Sequence, residues 1–152
     1  MKRAQQHQVL EWSFTSEQVH ADPFNAVELD VLFTQPDGVE LLLPAFWAGD
    51  QTWKVRYSSS QLRVHRYQSR CSAAGDPGLH VQEGTLEILP YEGDNPLLHH
   101  GPLRLAASRR HLEHRDGKPF FWLGDTWWMG LCERLRWPED FQELTADRVK
   151  KG

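Results

Sequence analysis

A strict two-residue alternation of apolar and charged side chains constrains the fold of this chain more than any other feature. In the segment AVELDVLF, Glu28 and Asp30 separate apolar residues that recur at every second position. The apolar set is Val27, Leu29, Val31 and Phe33. Successive side chains of a β-strand point to opposite faces of the sheet, so this pattern is typical of a strand with one buried face. The segment therefore predicts a half-buried antiparallel strand.

The same pattern recurs along the first two thirds of the chain. A turn at Gln35–Gly38 follows the first strand, with Pro36 suited to fix a φ angle and Gly38 to take a positive one, which predicts a hairpin. Further alternating runs are QTWKVRY, RVHRYQSR, LHVQEGTLEIL and PLRLAA. Gly84 interrupts the third of these runs and suggests a bulge. Short strands in series, with no helical run among them, predict a mainly β domain over residues 1–108, built as an antiparallel two-sheet sandwich.

Beyond residue 108 the pattern changes from strands alone to strand and helix. The segment RRHLEHRDGKPFFWL places Asp116 and Gly117 between two strand-like runs, which predicts a hairpin closed by a type I′ turn. The segment WPEDFQELTADRVKKG follows, with Pro138 in the first turn, acidic residues after it and basic residues before Gly152, all of which are helix signals. Because the chain ends where a following strand would begin, we expect residues 109–152 to be the incomplete start of a barrel, with FFWLG as its first strand.

The segment FFWLGDTWW contains the first candidate for a ligand site. Asp125 lies in the loop between the predicted strand and helix, where (β/α)₈ barrels place their active-site residues. Trp127 and Trp128 follow it, and indole rings stack well on the C–H faces of sugars. The alternative is that Asp125 caps the helix and that the tryptophans fill a core. Spacing alone gives this alternative more weight.

Within the predicted sandwich, Trp47 is the candidate for an exposed aromatic residue that binds carbohydrate, because it lies at a strand end beside an Ala-Gly-Asp turn. Trp53 and Tyr57 alternate with charged residues and are expected to face the core. Arg56 alternates outward with Lys54, so both are expected on the sheet surface.

A longer motif, DGKPFFWLGDT, begins at Asp116. It resembles the opening of the apiosidase-like family of glycoside hydrolases, whose barrel begins with a hairpin and strand of the form DGxPFFWLGDT. The matching residues are Asp116, Gly117, Pro119, Phe120, Phe121, Trp122, Leu123, Gly124, Asp125 and Thr126. The upstream segments EWSF, DPFNAVELDVLF, LPAFWAGDQTWKVRY and GPLRLA resemble the immunoglobulin-like sandwich, of unassigned function, that precedes this kind of barrel.

This resemblance implies an accessory immunoglobulin-like domain of a glycoside hydrolase that acts on plant or microbial polysaccharide. Hydrolysis needs two carboxyl groups about 5 to 9 Å apart across the scissile bond, and one carboxylate cannot meet that geometry. In the family, the carboxylates would lie on later strands. We therefore assign no catalytic residue and expect the chain to be inactive alone. The candidate substrate-binding residues are Asp125, Trp127, Trp128 and Trp47.

Two other functions remain open from the sequence. One is a free-standing module that binds carbohydrate or protein through exposed aromatic residues. The other is a structural interaction domain, in which the C-terminal hairpin and helix cover a sheet edge or pair with a second copy. An exposed FFWL strand is an association hazard, so a homodimer through this strand is expected.

Charge and hydropathy argue against several classes of partner. The net charge of -4 gives no electrostatic reason to expect nucleic acid or an anionic membrane surface as partner. The N-terminus lacks the apolar segment of a signal peptide, and no apolar run is long enough to span a membrane. The chain as written is therefore expected in the cytoplasm.

Cysteine and histidine give no indication of a metal or any other cofactor. Cys71 and Cys132 are far apart without a CxxC pair, so no disulfide is expected. The histidine pairs 99–100 and 111–114 would point to opposite faces of a strand and are expected to be solvated or in loops.

Overall fold

The computed structural model describes residues 1–128, 130 and 132–151. The chain divides into two compact units, Met1–Phe120 and Phe121–Gly152. The strands are β1 (Lys2–Gln5), β2 (Leu10–Thr15), β3 (Leu29–Thr34), β4 (Glu40–Pro44), β5 (Phe46–Trp47), β6 (Thr52–Tyr57), β7 (Arg63–Cys71), β8 (Glu83–Leu89), β9 (Leu103–Leu105), β10 (Leu112–His114) and β11 (Pro119–Phe120). The helices are α1 (Pro23–Ala26), α2 (Pro96–His100) and α3 (Glu139–Lys151). The mainly β fold is confirmed.

The strands form a five-stranded sheet of order β1-β8-β7-β3-β4 and two three-stranded sheets, β2-β6-β5 and β11-β10-β9. Every pair is antiparallel except β1 with β8, which run parallel with Lys2 opposite Leu86. The expectation of a wholly antiparallel arrangement is therefore wrong at this edge. Residues 2–5 carry no apolar alternation, so the pattern could not reveal β1.

The five-stranded sheet and the β2-β6-β5 sheet pack face to face. Phe33 on β3 stacks on Tyr57 of β6 with ring centroids 4.0 Å apart, and Trp12 on β2 meets Phe33 edge-on at 5.7 Å. One core cluster joins buried residues of β2, β3, β6, β7 and β8. This packing is that of a two-layer sandwich. Its immunoglobulin-like character stays a prediction.

The alternation read in the sequence corresponds to burial in the structure. The four apolar residues between Val27 and Phe33 are all buried, and so are Trp53, Val55 and Tyr57, as expected. Lys54 and Arg56 point away from the core, and both bind Glu11 on β2, at 2.9 Å and 2.7 Å. These two hydrogen bonds lower the pKa of Glu11, and the bond from Lys54 contributes most.

Two hairpins use the same three-residue loop. In β3–β4 the N–H of Gln35 donates to Val39 O, and Gly38 takes a φ of +84°. In β10–β11 the N–H of His114 donates to Lys118 O, and Gly117 takes a φ of +90°. The second loop is therefore longer than the predicted type I′ turn. A single left-handed residue after a type I turn explains why glycine follows the aspartate in both loops.

Short helices interrupt the strand series, contrary to the expectation that it has none. Asp22 caps α1 by accepting from the N–H of Asn25, and Asn95 caps α2 by accepting from the N–H of Leu97. A proline occupies the first turn of each. The predicted C-terminal helix is confirmed as α3, with acidic residues first and basic residues last. Gly152, expected to end it, lies outside the described residues.

The predicted bulge lies earlier than Gly84. Val81, with a φ of +57°, and Gln82 together face Ser69: the N–H of Ser69 donates to Gln82 O, and the N–H of Val81 donates to Ser69 O. Gly84 instead pairs regularly with Tyr67. A Cβ at Gly84 would lie 2.6 Å from Cζ of Tyr67, so glycine leaves room for this ring.

A fully buried carboxylate joins two loops of the sandwich. Asp76 accepts hydrogen bonds from the Ser16 hydroxyl at 2.5 Å, from His20 Nε2 at 3.1 Å, and from the backbone N–H groups of Glu17 and Gly78. Burial acts to raise the pKa of Asp76, but these hydrogen bonds lower it below its ordinary value. The ionised carboxylate therefore holds residues 16–20 against residues 76–78.

The third sheet corrects two further expectations. The PLRLAA strand, β9, does not close the sandwich but pairs with β10, so this small sheet crosses the expected domain boundary between residues 108 and 109. That boundary stays a prediction. The FFWLG strand is limited to Pro119–Phe120: among the described residues, 121–128 form no strand, and the N–H of Leu123 turns back to Phe121 O. A strand needs a neighbour for its backbone groups, and β10 pairs only as far as Phe120.

Candidate functional site

Asp125 lies in the second unit and is bound to a cation of the helix that follows it. Its side chain is about half exposed, and its Oδ2 accepts a hydrogen bond from Arg148 Nε at 2.7 Å. Arg148 lies in the last turn of α3. In the sequence it reads only as one of several basic residues that suit a helix C-terminus, so its pairing with Asp125 could not be inferred.

Trp127 shares this arginine. The Arg148 guanidinium lies 5.8 Å from the centre of the Trp127 ring, and Phe141 on the same helix meets that ring edge-on at 5.4 Å. Trp127 is half-buried by these contacts, whereas Trp128 is 87% exposed. The structure thus brings Asp125 and Trp127 together around Arg148, while Trp128 offers a solvent-facing ring.

A second carboxylate binds the same guanidinium. Arg148 Nη1 donates to Asp147 Oδ2 at 2.7 Å, and Lys151 Nζ donates to the same oxygen at 2.7 Å. The bond from Lys151 is the main reason that the pKa of Asp147 lies below its ordinary value. Asp125 and Asp147 therefore act as acceptors for cations of their own unit. A general acid needs a raised pKa, so Asp147 does not suit that role.

Three other carboxylates of the second unit are paired elsewhere or exposed. Asp140 accepts hydrogen bonds from Arg136, which lower its pKa, and Glu133 and Glu139 are exposed.

Trp47 lies in the first unit, in a groove beside α1. Its indole N–H donates to Asp50 O at 2.8 Å, which fixes the ring, and the ring is half-buried against the core. Phe24, 71% exposed, lies 6.4 Å from it with the two rings inclined at 60°. The groove has a volume of about 450 Å³. Its lining is Phe24, Val27, Glu28, Leu29, Asp30, Pro44, Ala45, Phe46, Trp47 and Trp53.

The histidines form structural contacts. His114 is buried on β10, so the expectation of a solvated or loop position is wrong for this residue, and its Nδ1 donates to Gly101 O at 2.7 Å. His100 donates through Nδ1 to Asp116 and accepts through Nε2 from Lys118. Within the described residues, no group of three or more His, Cys, Asp or Glu side chains is placed to hold a metal ion. None of the helices described there is long and apolar enough to cross a membrane.

Two family models match the chain, one in its N-terminal part and one in its C-terminal part. Residues 3–72 match the model of the family described as "Domain of unknown function (DUF5060)", and residues 106–152 match "Apiosidase-like, catalytic domain". The search of curated proteins gave no match.

Among solved structures, the chain is similar to a crystal structure described as a "putative glycoside hydrolase" from Bacteroides vulgatus, with a TM-score of 0.65 and 19% identity. The likeness covers 80% of this chain and 22% of that one, so the present chain spans about a fifth of that protein. At this identity the likeness concerns the fold alone. Taken together, the N-terminal part of the chain matches the DUF5060 family and its C-terminal part matches the apiosidase-like catalytic domain.

Proposed function

We propose that residues 1–152 supply the accessory N-terminal domain and the first β/α unit of a glycoside hydrolase that acts on plant or microbial polysaccharide. The order of the two family matches supports this proposal. In this proposal Asp125, Trp127 and Trp128 line the start of the substrate site, and the 152 residues are not catalytic alone.

The ion pair between Asp125 and Arg148 is the observation that carries the non-catalytic role. Glycoside hydrolysis requires an acid and a second carboxylate on opposite sides of one bond. Asp125 instead accepts from a guanidinium at 2.7 Å, an arrangement suited to holding a sugar hydroxyl or to orienting the loop.

A hydrolysis assay tests this role. The 152-residue chain and its Asp125→Ala variant are incubated with plant and microbial polysaccharides, and new reducing ends are measured. We expect no turnover by either protein. Turnover that is lost in the variant would show that Asp125 is catalytic and would overturn the proposal.

The groove at Trp47 favours a second candidate function, a module that binds carbohydrate by itself. Phe24 and Trp47 present inclined aromatic surfaces, and Glu28 and Asp30 supply carboxylates along the same groove. Aromatic faces contact the C–H groups of a sugar, and carboxylates accept from its hydroxyls.

Glycan binding with two variants separates the candidates. If the groove is the site, Trp47→Ala abolishes binding, whereas deletion of residues 121–152 leaves it unchanged because the first unit stays intact. Binding lost only on the deletion would instead favour the Asp125 region. Circular dichroism of each variant serves as the control for folding.

A further inference from the structure

A second cleft of the first unit lies away from the Trp47 groove and has a different chemistry. It encloses about 500 Å³, a volume within the usual range of small-ligand sites. Its polar wall contains the serine run that follows β6, residues 58–60, together with Gln35 and Arg115. Its apolar wall contains Leu97, Leu98 and Pro102.

Arg115 gives this cleft a positive charge without a neutralising partner. Its Nη1 donates to Ser60 Oγ at 2.5 Å. Within the described part of the chain, no carboxylate lies within ion-pair distance of Arg115, whereas Arg104 on the nearby strand β9 is paired with Glu113 at 2.9 Å. A guanidinium has five N–H donors in a planar fork, so the bond to Ser60 leaves donors available for an oxyanion.

The serine run is fixed in place by its backbone and by one of its own hydroxyls. Ser59 is buried, and its hydroxyl accepts from the N–H of Gln61, while its carbonyl accepts from the N–H of His7. The carbonyl of Ser60 accepts from the side chain of Gln6 at 2.6 Å. The side chains of Ser58 and Gln35 make no hydrogen bond to another described residue, so both can bind hydroxyl groups of a ligand.

The opposite wall is fixed by His7. Its Nδ1 donates to Leu98 O at 2.5 Å, and its ring fills the space beside Gly101, where a Cβ would lie 2.9 Å from Cε1. These contacts join the N-terminal segment to α2, whose Leu97 and Leu98 line the same cleft as the serines. The cleft is therefore built before a ligand arrives, with one apolar and one hydrogen-bonding side.

We propose that this cleft binds a sugar acid, with the carboxylate on the Arg115 guanidinium, hydroxyl groups on Ser58 and Gln35, and the C–H face against Leu97 and Pro102. A charged donor opposite hydroxyl and amide groups suits a ligand that is both anionic and polyhydroxylated. This inference goes beyond the proposed function, because it concerns neither Asp125 nor Trp47.

The experiment is calorimetric titration of the 152-residue chain at low salt with four probes: glucuronate, glucose, acetate and inorganic phosphate. Glucuronate is expected to bind at least about tenfold more tightly than the other three, because only it combines a carboxylate with sugar hydroxyls. Arg115→Gln should weaken glucuronate binding by about tenfold or more. The control Arg110→Gln removes an exposed arginine outside the cleft and should leave the affinity unchanged.

Any one of the following outcomes would overturn the inference. Glucose binding as tightly as glucuronate would remove the role of the charge, and acetate or phosphate binding as tightly would remove the role of the hydroxyls. Absence of glucuronate binding, or equal loss in both arginine variants, would remove the site. Loss on Trp47→Ala in place of Arg115→Gln would locate the ligand in the other groove. Matching circular dichroism spectra show that the variants fold.

Discussion

Asp76 is the residue on which the packing of the sandwich loops depends most directly. Its carboxylate has no solvent exposure and accepts from four groups, three of which belong to the segment 16–20. If the carboxylate is removed, its donors are left without hydrogen bonds in an environment that water does not reach. The same holds for the carboxylate if its donors are removed.

Replacing this carboxylate should therefore destabilise the first unit. Asp76→Ala should lower the free energy of unfolding by about 3 kcal/mol, measured by urea denaturation at neutral pH. Glu11→Ala removes exposed ion pairs and serves as the control, with a clearly smaller effect. Equal effects of the two variants would contradict the role assigned to Asp76.

The pH dependence of the stability follows from the lowered pKa of Asp76. Because the pKa of Asp76 is lower in the folded protein than in the unfolded chain, the stabilisation is complete above the unfolded pKa, about 3.9, and is lost as the pH falls through the folded pKa. Urea denaturation between pH 5 and pH 2 should show a shallower loss of stability in Asp76→Ala than in the unaltered chain. Parallel curves would contradict this assignment.

At the same scale, the core residues were predictable and the buried network was not. The burial of Trp53 and Tyr57 could be predicted, because each lies next to a charged residue in an alternating pattern. Asp76 lies in the turn-like segment AAGDPG, and its side-chain partner Ser16 is 60 positions upstream. No local pattern reports a contact over that distance.

Among the elements, the two Asp-Gly loops show how the same local sequence produces the same turn in two hairpins of the first unit. Asp37 accepts from the N–H of Val39 at 3.1 Å, and Asp116 accepts from the N–H of Lys118 at 3.0 Å. In each loop the aspartate carboxylate binds the backbone two residues on, and the glycine between them takes the positive φ.

The loss of stability on substituting these glycines should come from the unfavourable backbone conformation and not from a steric clash. Gly38→Ala should lower the free energy of unfolding by about 1 kcal/mol, since nothing lies within 4 Å of a Cβ at this position and only the left-handed φ is unfavourable. Gly38→Asn should cost less, because asparagine adopts this conformation more readily. Thermal or urea unfolding checks both. Equal losses would contradict a conformational origin.

Hairpins, alternating strands and the C-terminal helix were predictable because their signals lie within a few residues of each other. The short helices α1 and α2 carry Asp-Pro and Asn-Pro starts, signals that could have found them. The extent of β11 was not predictable, because FFWL has strand propensity throughout, but strand pairing depends on a neighbour that local sequence does not specify.

For the molecule as a whole, the apolar segment after β11 is the most conspicuous exposed surface. Phe121 is 83% exposed and Leu123 is 67% exposed, within the second unit. Exposed apolar surface of this kind favours association because burial removes it from water. We therefore propose a homodimer formed through this segment.

Light scattering over a range of protein concentrations tests the dimer. The apparent mass should rise with concentration, and the double substitution Phe121→Ser and Leu123→Ser should reduce that rise. Leu42→Ser on β4 removes a comparably exposed leucine of the first unit and should not. A constant monomer mass at high concentration would contradict the proposal.

The parallel pairing of β1 with β8 makes the N-terminal strand a late participant in folding. Lys2 is opposite Leu86, so nearly the whole sandwich must be synthesised before β1 meets its partner. The β3–β4 hairpin and the β7–β8 pair close much shorter loops, at a smaller entropic cost. Until β8 is made, β1 has no strand with which to form this parallel pair.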